Sequence, residues 1–122
     1  MSNLIRQHEM RRLITLCETE DWDAAAAVFQ GGDCGTFAHA LHQRTGWQAM
    51  ASENHVWLVN PDGKAVDING VHKTDTIRLP GDEGLTVHPH RITERDVQDH
   101  DNLAWANQII ANHPSRFGIA EW

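Results

Sequence analysis

The tetrapeptide Asn60-Pro-Asp-Gly63 constrains this chain more than any other segment, because it joins two apolar runs with the residues a tight reversal needs. Pro61 and Asp62 suit the central positions of a type I turn, and Gly63 suits the left-handed residue that closes a three-residue hairpin loop. The run before it, His55-Val-Trp-Leu-Val59, and the run after it, residues 64–68, both read as strands. If Asn60 and Lys64 flank the loop, Trp57 lies opposite Asp67 and His55 lies opposite Asn69, with all four on one face. The diagonal pair His55 and Asp67 then has β-carbons roughly 7 Å apart, within reach of an imidazole–carboxylate hydrogen bond. A slip of one residue would put the two on opposite faces.

Upstream of the hairpin the apolar period is that of helices. Met10, Leu13, Ile14 and Cys17 share one helical face, which predicts a helix over residues 4–17 with Cys17 as a small core residue. A second helix is expected over residues 21–30, with N-cap chemistry in residues 19–21 and a stop at Gly31 and Gly32. A third is expected from Asp33 as N-cap to Arg44 or Thr45, with Gly46 in the position helix ends favour. Its apolar set is Cys34, Phe37, Ala38 and Leu41, so Cys34 stands in the first turn and points towards the core. His39 and His42 fall towards its polar, solvated side.

After Gly46 the period becomes two, and residues 47–51 read as a strand. Residues 76–79 and 85–88 are expected as short strands around the turn Pro80-Gly-Asp-Glu-Gly84. A last helix over residues 102–112 carries Leu103, Ala106, Ile109 and Ile110 and stops before Pro114. No repeat or linker interrupts the 122 residues, so a single α+β domain spanning residues 1–122 is expected.

The charge balance narrows the partners. Seventeen Asp and Glu against ten Lys and Arg give a formal charge of −7, with no basic run to neutralise a phosphate backbone, so nucleic acid is not expected as a partner. No stretch approaches the ~20 apolar residues of a membrane span, and the first residues lack the apolar core of an export signal. Membrane contact is not expected, and the cytoplasm is the expected location. No glycine loop of a phosphate-binding type is present, so no cofactor is implied. His88-Pro-His90 offers two imidazoles without a second ligand cluster, and no metal site is expected.

Cys34, His55 and Asp67 are the residues that carry chemistry. A thiol with an ordinary pKa of ~8.5 is mostly protonated at neutral pH, and both a helix N-terminus and a nearby imidazolium favour the thiolate. Packing the third helix on the hairpin would bring Cys34 to His55, while Asp67 holds the ring and fixes its tautomer. His72, close to Gly70, is a further histidine that could approach this group.

The segments Gly32-Asp-Cys-Gly-Thr-Phe-Ala38, Asn54-His-Val-Trp-Leu-Val59 and Val66-Asp-Ile-Asn-Gly70 resemble the papain-like superfamily, with cysteine on a helix, histidine on a strand and aspartate on the next strand. The Asp33-Cys34 pair with Phe37 is similar to the NlpC/P60 cysteine motif, and the ending at Asp67 is more like the transglutaminase-like branch. The resemblance covers roughly residues 30–70, with Cys34 and His55 21 positions apart, a shorter span than those families usually have.

The resemblance implies a minimal papain-like fold, in which the nucleophile helix packs on a small antiparallel sheet and a C-terminal helix follows. It implies a cysteine hydrolase or acyltransferase acting on an amide, isopeptide or ester bond of a protein or peptide-like substrate. Gln30 is the side chain that the resemblance offers for the oxyanion, and the backbone N–H of Cys34 is the alternative donor. Trp57 and Asn69 are candidates for the substrate cleft, and Asn69 competes with Asp67 as third member of the triad. A different reading of the same fold is a binding module whose shortened cleft has lost activity and which docks to a protein partner.

Overall fold

The computed structural model describes residues 21–77, 84 and 86–119. The helix expected over residues 4–17, with Cys17, lies outside them, as do residues 80–83 of the expected turn. The first described element is helix α1, Trp22–Gly31, which starts where Asp21 accepts a hydrogen bond from the backbone N–H of Ala24. Helix α2, Cys34–Thr45, follows almost at once and ends at Gly46, whose φ of 69° is the left-handed conformation that lets its N–H reach back to the His42 carbonyl.

Asp33 occupies the N-cap position of α2 but does not cap it through its side chain. Its buried carboxylate instead accepts hydrogen bonds from the Thr36 hydroxyl and, at 2.8 Å, from the Asn102 amide. Thr36 Oγ1 accepts in turn from the backbone N–H of Gln98 at 2.9 Å. A polar network therefore ties the start of α2 to the last helix, α3, His100–Asn112.

Five strands make one sheet in the order β4-β3-β2-β1-β5, every neighbouring pair antiparallel: β1 Gln48–Ala51, β2 Val56–Val59, β3 Ala65–Asp67, β4 Gly70–Val71 and β5 His88–His90. The hairpin between β2 and β3 has the register expected from its loop, with Leu58 opposite Val66 and Val59 opposite Ala65. Asn60 organises the loop with one oxygen: Oδ1 accepts from the N–H groups of Asp62 and Lys64. Gly63 takes φ 77° there, the conformation that only glycine adopts without strain.

The strands differ from expectation at their ends. Lys64 and Ile68 lie outside β3, and Trp47 and His55 stand just before β1 and β2. Gly70–Val71 forms an unexpected edge strand, because two residues are too few to show alternation. Of the two short strands expected here, residues 78, 79 and 85 lie outside the described residues, Thr76, Ile77, Thr86 and Val87 are not in a strand, and His88 belongs to β5, His88–His90. Pro89 fits there because β5 is an edge strand, where a missing N–H is tolerated.

The sheet packs the helices on one face. Phe29, Phe37, Leu41, Leu58, Ile109 and Phe117 belong to this main core, in which the rings of Phe29, Phe37, Trp105 and Phe117 meet pairwise at 5.2–5.5 Å between centroids. Trp57, Ala65 and Ile77 form a smaller cluster on the other face. The architecture is α+β, with the cysteine-bearing helix against a small antiparallel sheet and a further helix closing the chain.

His39 corrects the expectation of a solvated polar side on α2. It is buried, with Nδ1 lacking a hydrogen-bond partner. One turn earlier on the helix, Gly35 lets the 3-10 turn Glu94–Asp96 approach closely; a β-carbon on Gly35 would sit 2.7 Å from the Asp96 carbonyl oxygen. His42 is half-buried and its Nδ1 lies 2.8 Å from the Trp47 carbonyl, to which it donates.

Candidate active site

The hairpin register delivers two side chains to the same point. His55 precedes β2 and Asp67 ends β3, and His55 Nε2 lies 3.0 Å from Asp67 Oδ2. Both are almost wholly buried, at 2% and 3% exposure. Because Nε2 donates to the carboxylate, the neutral ring carries its proton there and Nδ1 is left as the free base. That nitrogen is buried and meets no partner in good hydrogen-bond geometry.

Cys34 comes to this ring from the first turn of α2, with a free thiol that is partly exposed. Burial alone would raise its pKa, but the hydrogen bond and charge of His55, together with the N–H groups of Val56 and Gly35, bring it below the usual 9.0. The effect is mutual. Burial would lower the His55 imidazolium, yet Asp67 and the Cys34 thiolate push its pKa from 6.5 up to about 9. Thiol and imidazole therefore each favour the other's charged form, while Nδ1 itself has no hydrogen-bond partner among the described residues.

Asp67 also resists its burial. His55 and His72 hydrogen-bond to it, the charge of His72 adds to this, and the Asn69 N–H donates, so its carboxyl is held below the usual carboxylate range. Asn69 therefore enters the site through its backbone, 2.9 Å from Asp67 Oδ1, while the residue itself is exposed; Asp67, not Asn69, faces the His55 ring.

Trp57 stacks its ring against His55 at 6.0 Å between centroids, and its indole N–H donates to the Asp75 carbonyl. At 1% exposure it has no surface for a substrate and acts as the packed wall behind the imidazole. Gln30 is half-buried in the last turn of α1, and no hydrogen bond joins its amide to Cys34, His55 or Asp67 among the described residues. The start of α2 offers backbone N–H donors in the same turn as the thiol.

His72 is the residue that pattern reading left without a role. Its Nε2 lies 2.8 Å from Asp67 Oδ1. The signal was present in the next hairpin: with Asp67 opposite Gly70 and Val66 opposite Val71, His72 falls diagonal to Asp67 just as His55 does. Elsewhere, His88 Nδ1 donates to the Pro89 carbonyl, and His90 Nε2 pairs with Asp96 at 2.8 Å. No group of three or more His, Cys, Asp or Glu able to hold a metal ion occurs among the described residues, and none of their helices is long and apolar enough to cross a membrane.

Comparison with protein-family models, with curated proteins and with solved structures gives no match to this chain.

Proposed function

We propose that this chain is a papain-like cysteine hydrolase or acyltransferase that acts on an amide, isopeptide or ester carbonyl of a protein or peptide-like substrate. The single observation that carries the reading is the buried His55–Asp67 hydrogen bond of 3.0 Å beside a free thiol, Cys34, in the first turn of α2, an arrangement in which thiol and imidazole favour each other's charged form. An inert buried thiol would have its pKa raised, not lowered.

In the proposed reaction the Cys34 thiol gives its proton to His55 Nδ1, and the sulfur attacks the carbonyl carbon, forming a C–S bond while the carbonyl π electrons move to oxygen. Backbone N–H groups at the start of α2 stabilise that oxygen. As the tetrahedral species collapses, the bond to the leaving nitrogen or oxygen breaks and the His55 Nδ1 proton passes to it. Water, or an acceptor amine, then attacks the thioester, gives its proton to Nδ1 and releases the thiolate. Asp67 stays ionised throughout and holds the ring. A nucleophile that must remain a thiol suits a reducing compartment such as the cytoplasm.

The test is alkylation of the full chain by iodoacetamide, followed residue by residue by mass spectrometry, with a C34S control. Cys34 is expected to react faster than an unassisted thiol at pH 7, and H55A to slow it. A chromogenic ester should give a stoichiometric acyl burst that C34S abolishes. Labelling at the rate of an ordinary buried thiol, unchanged in H55A, would overturn the enzyme reading.

A further inference from the structure

Asp67 is shared between two imidazoles, one from each neighbouring segment of the sheet. Oδ2 faces His55 Nε2 at 3.0 Å, and Oδ1 faces His72 Nε2 at 2.8 Å and the Asn69 N–H at 2.9 Å. A carboxylate can turn about its Cβ–Cγ bond, and such terminal torsions are broad. A single bond to His55 would leave that torsion loose. Bonds to the second oxygen fix the plane of the group and so fix where Oδ2 points.

The second histidine is itself held in place. Its backbone N–H donates to the Ala65 carbonyl at 2.8 Å, and Ala65 N–H donates to the Thr74 carbonyl at 2.8 Å, so His72 is clamped between two rungs beyond β4. Gly70, at φ 102°, turns the chain back so that this occurs; a β-carbon there would approach the Arg116 carbonyl oxygen at 3.1 Å. His72 differs from His55 in exposure, its side chain being 29% accessible against 0%. It does not contact the reacting sulfur in any hydrogen bond described, and its reach to the chemistry runs through Asp67.

We propose that His72 is a positioning residue for the Cys34–His55 pair: by donating Nε2–H to Asp67 Oδ1, it sets the carboxylate so that Oδ2 holds the His55 ring. The inference rests on the thiol-enzyme reading above. Charged groups on the segments packed here are Asp67 on β3, Lys73 and Asp75 following His72, and Arg116 in the 3-10 turn Pro114–Phe117 against β4. Among them Asp67 alone is ion-paired with His72.

The experiment reads the pH midpoint of Cys34 alkylation on the full chain. H72F keeps a ring and removes the donor, and should move the midpoint upward by roughly one pH unit, the scale of a lost hydrogen bond in a buried pair. H72N, whose amide stops one bond short of the Nε2 position, should do the same and serves if H72F does not fold. H72Q, whose amide nitrogen is as many bonds from the backbone as Nε2, should restore the midpoint. In a D67A background H72F should add nothing, since the effect passes through the carboxylate.

An unmoved or lowered midpoint in both H72F and H72N, or a shift that persists in D67A, overturns the role of His72. If H55A raises the midpoint while the His72 variants do not, the triad stands and only this inference falls. If H55A leaves the rate and the midpoint of Cys34 alkylation unchanged, both readings fall.

Discussion

His55 and Asp67 are hydrogen-bonded at 3.0 Å although they are diagonal, not opposite, across the β2–β3 hairpin. The diagonal is what leaves room for Trp57, directly across from Asp67 when the register is continued, to stack behind the ring. The imidazole is thereby fixed by an aromatic wall and an anion, with Nδ1 turned to the helix that carries the thiol.

The first expectation concerns pH. The Cys34 value lies below 9.0 and the His55 value is about 9, so thiolate and imidazolium coexist between them. Alkylation should rise at a pH below that of a free thiol, and turnover of an ester should fall again near pH 9 as His55 loses the proton it must deliver. A single alkylation midpoint at or above 9 rules out the ion pair.

Removing the anion tests the second. The folded pKa of His55 is raised, so its contribution to stability is complete below the unfolded value of 6.5 and disappears as pH rises through about 9. The folded value of Asp67 is lowered, so its contribution is present above the unfolded 3.8 and is lost as pH falls through the folded value. D67A should therefore cost on the order of 3 kcal/mol near pH 6, as loss of one partner of a buried pair does. Urea denaturation should show that cost shrinking towards pH 10 and under strong acid. A pH-independent difference would mean the loss is packing alone.

Gly35 gives a third. Alanine is the better helix former by about 1 kcal/mol. Its methyl, however, would meet a backbone oxygen at 2.7 Å, and overpacking of this kind costs about 1–3 kcal/mol. G35A should be destabilised by about 1 kcal/mol net at the middle of these ranges, with the 3-10 turn Glu94–Asp96 displaced in amide chemical shifts. Equal or higher stability would show that the turn yields freely.

A contrasting result is expected at Gly63, where a β-carbon would meet nothing within 4 Å. The cost of G63A is backbone strain at φ 77°, about 1–2 kcal/mol. Because the register is also held by the Asn60 side chain and the strand pairs, the Cys34 alkylation midpoint should not move. A shifted midpoint would show that the loop sets the site geometry on its own.

Legibility in the sequence followed the range of the interaction. The β2–β3 register could be read because Asn60-Pro-Asp-Gly63 fixes it locally, and α2 because Gly46 and the apolar spacing mark its end and face. Asp33 was placed at the N-cap but not in its bonds, since Asn102 lies 69 residues away and no local pattern announces it. The burial of His39 is likewise a product of tertiary packing that the local spacing of α2 does not carry. His72 had a local signal, but one hidden in a strand of two residues.

Cys34, His55, Asp67 and His72 all lie within one uninterrupted stretch of 39 residues, 34–72, built from a helix and consecutive antiparallel hairpins. Contacts so near in sequence need little loop closure and form early. The four side chains of the candidate site are thus brought together by short loop closures alone. The bonds from Asp33 to Asn102 and from Thr36 to Gln98 tie that stretch to segments 69 and 62 positions further along the chain.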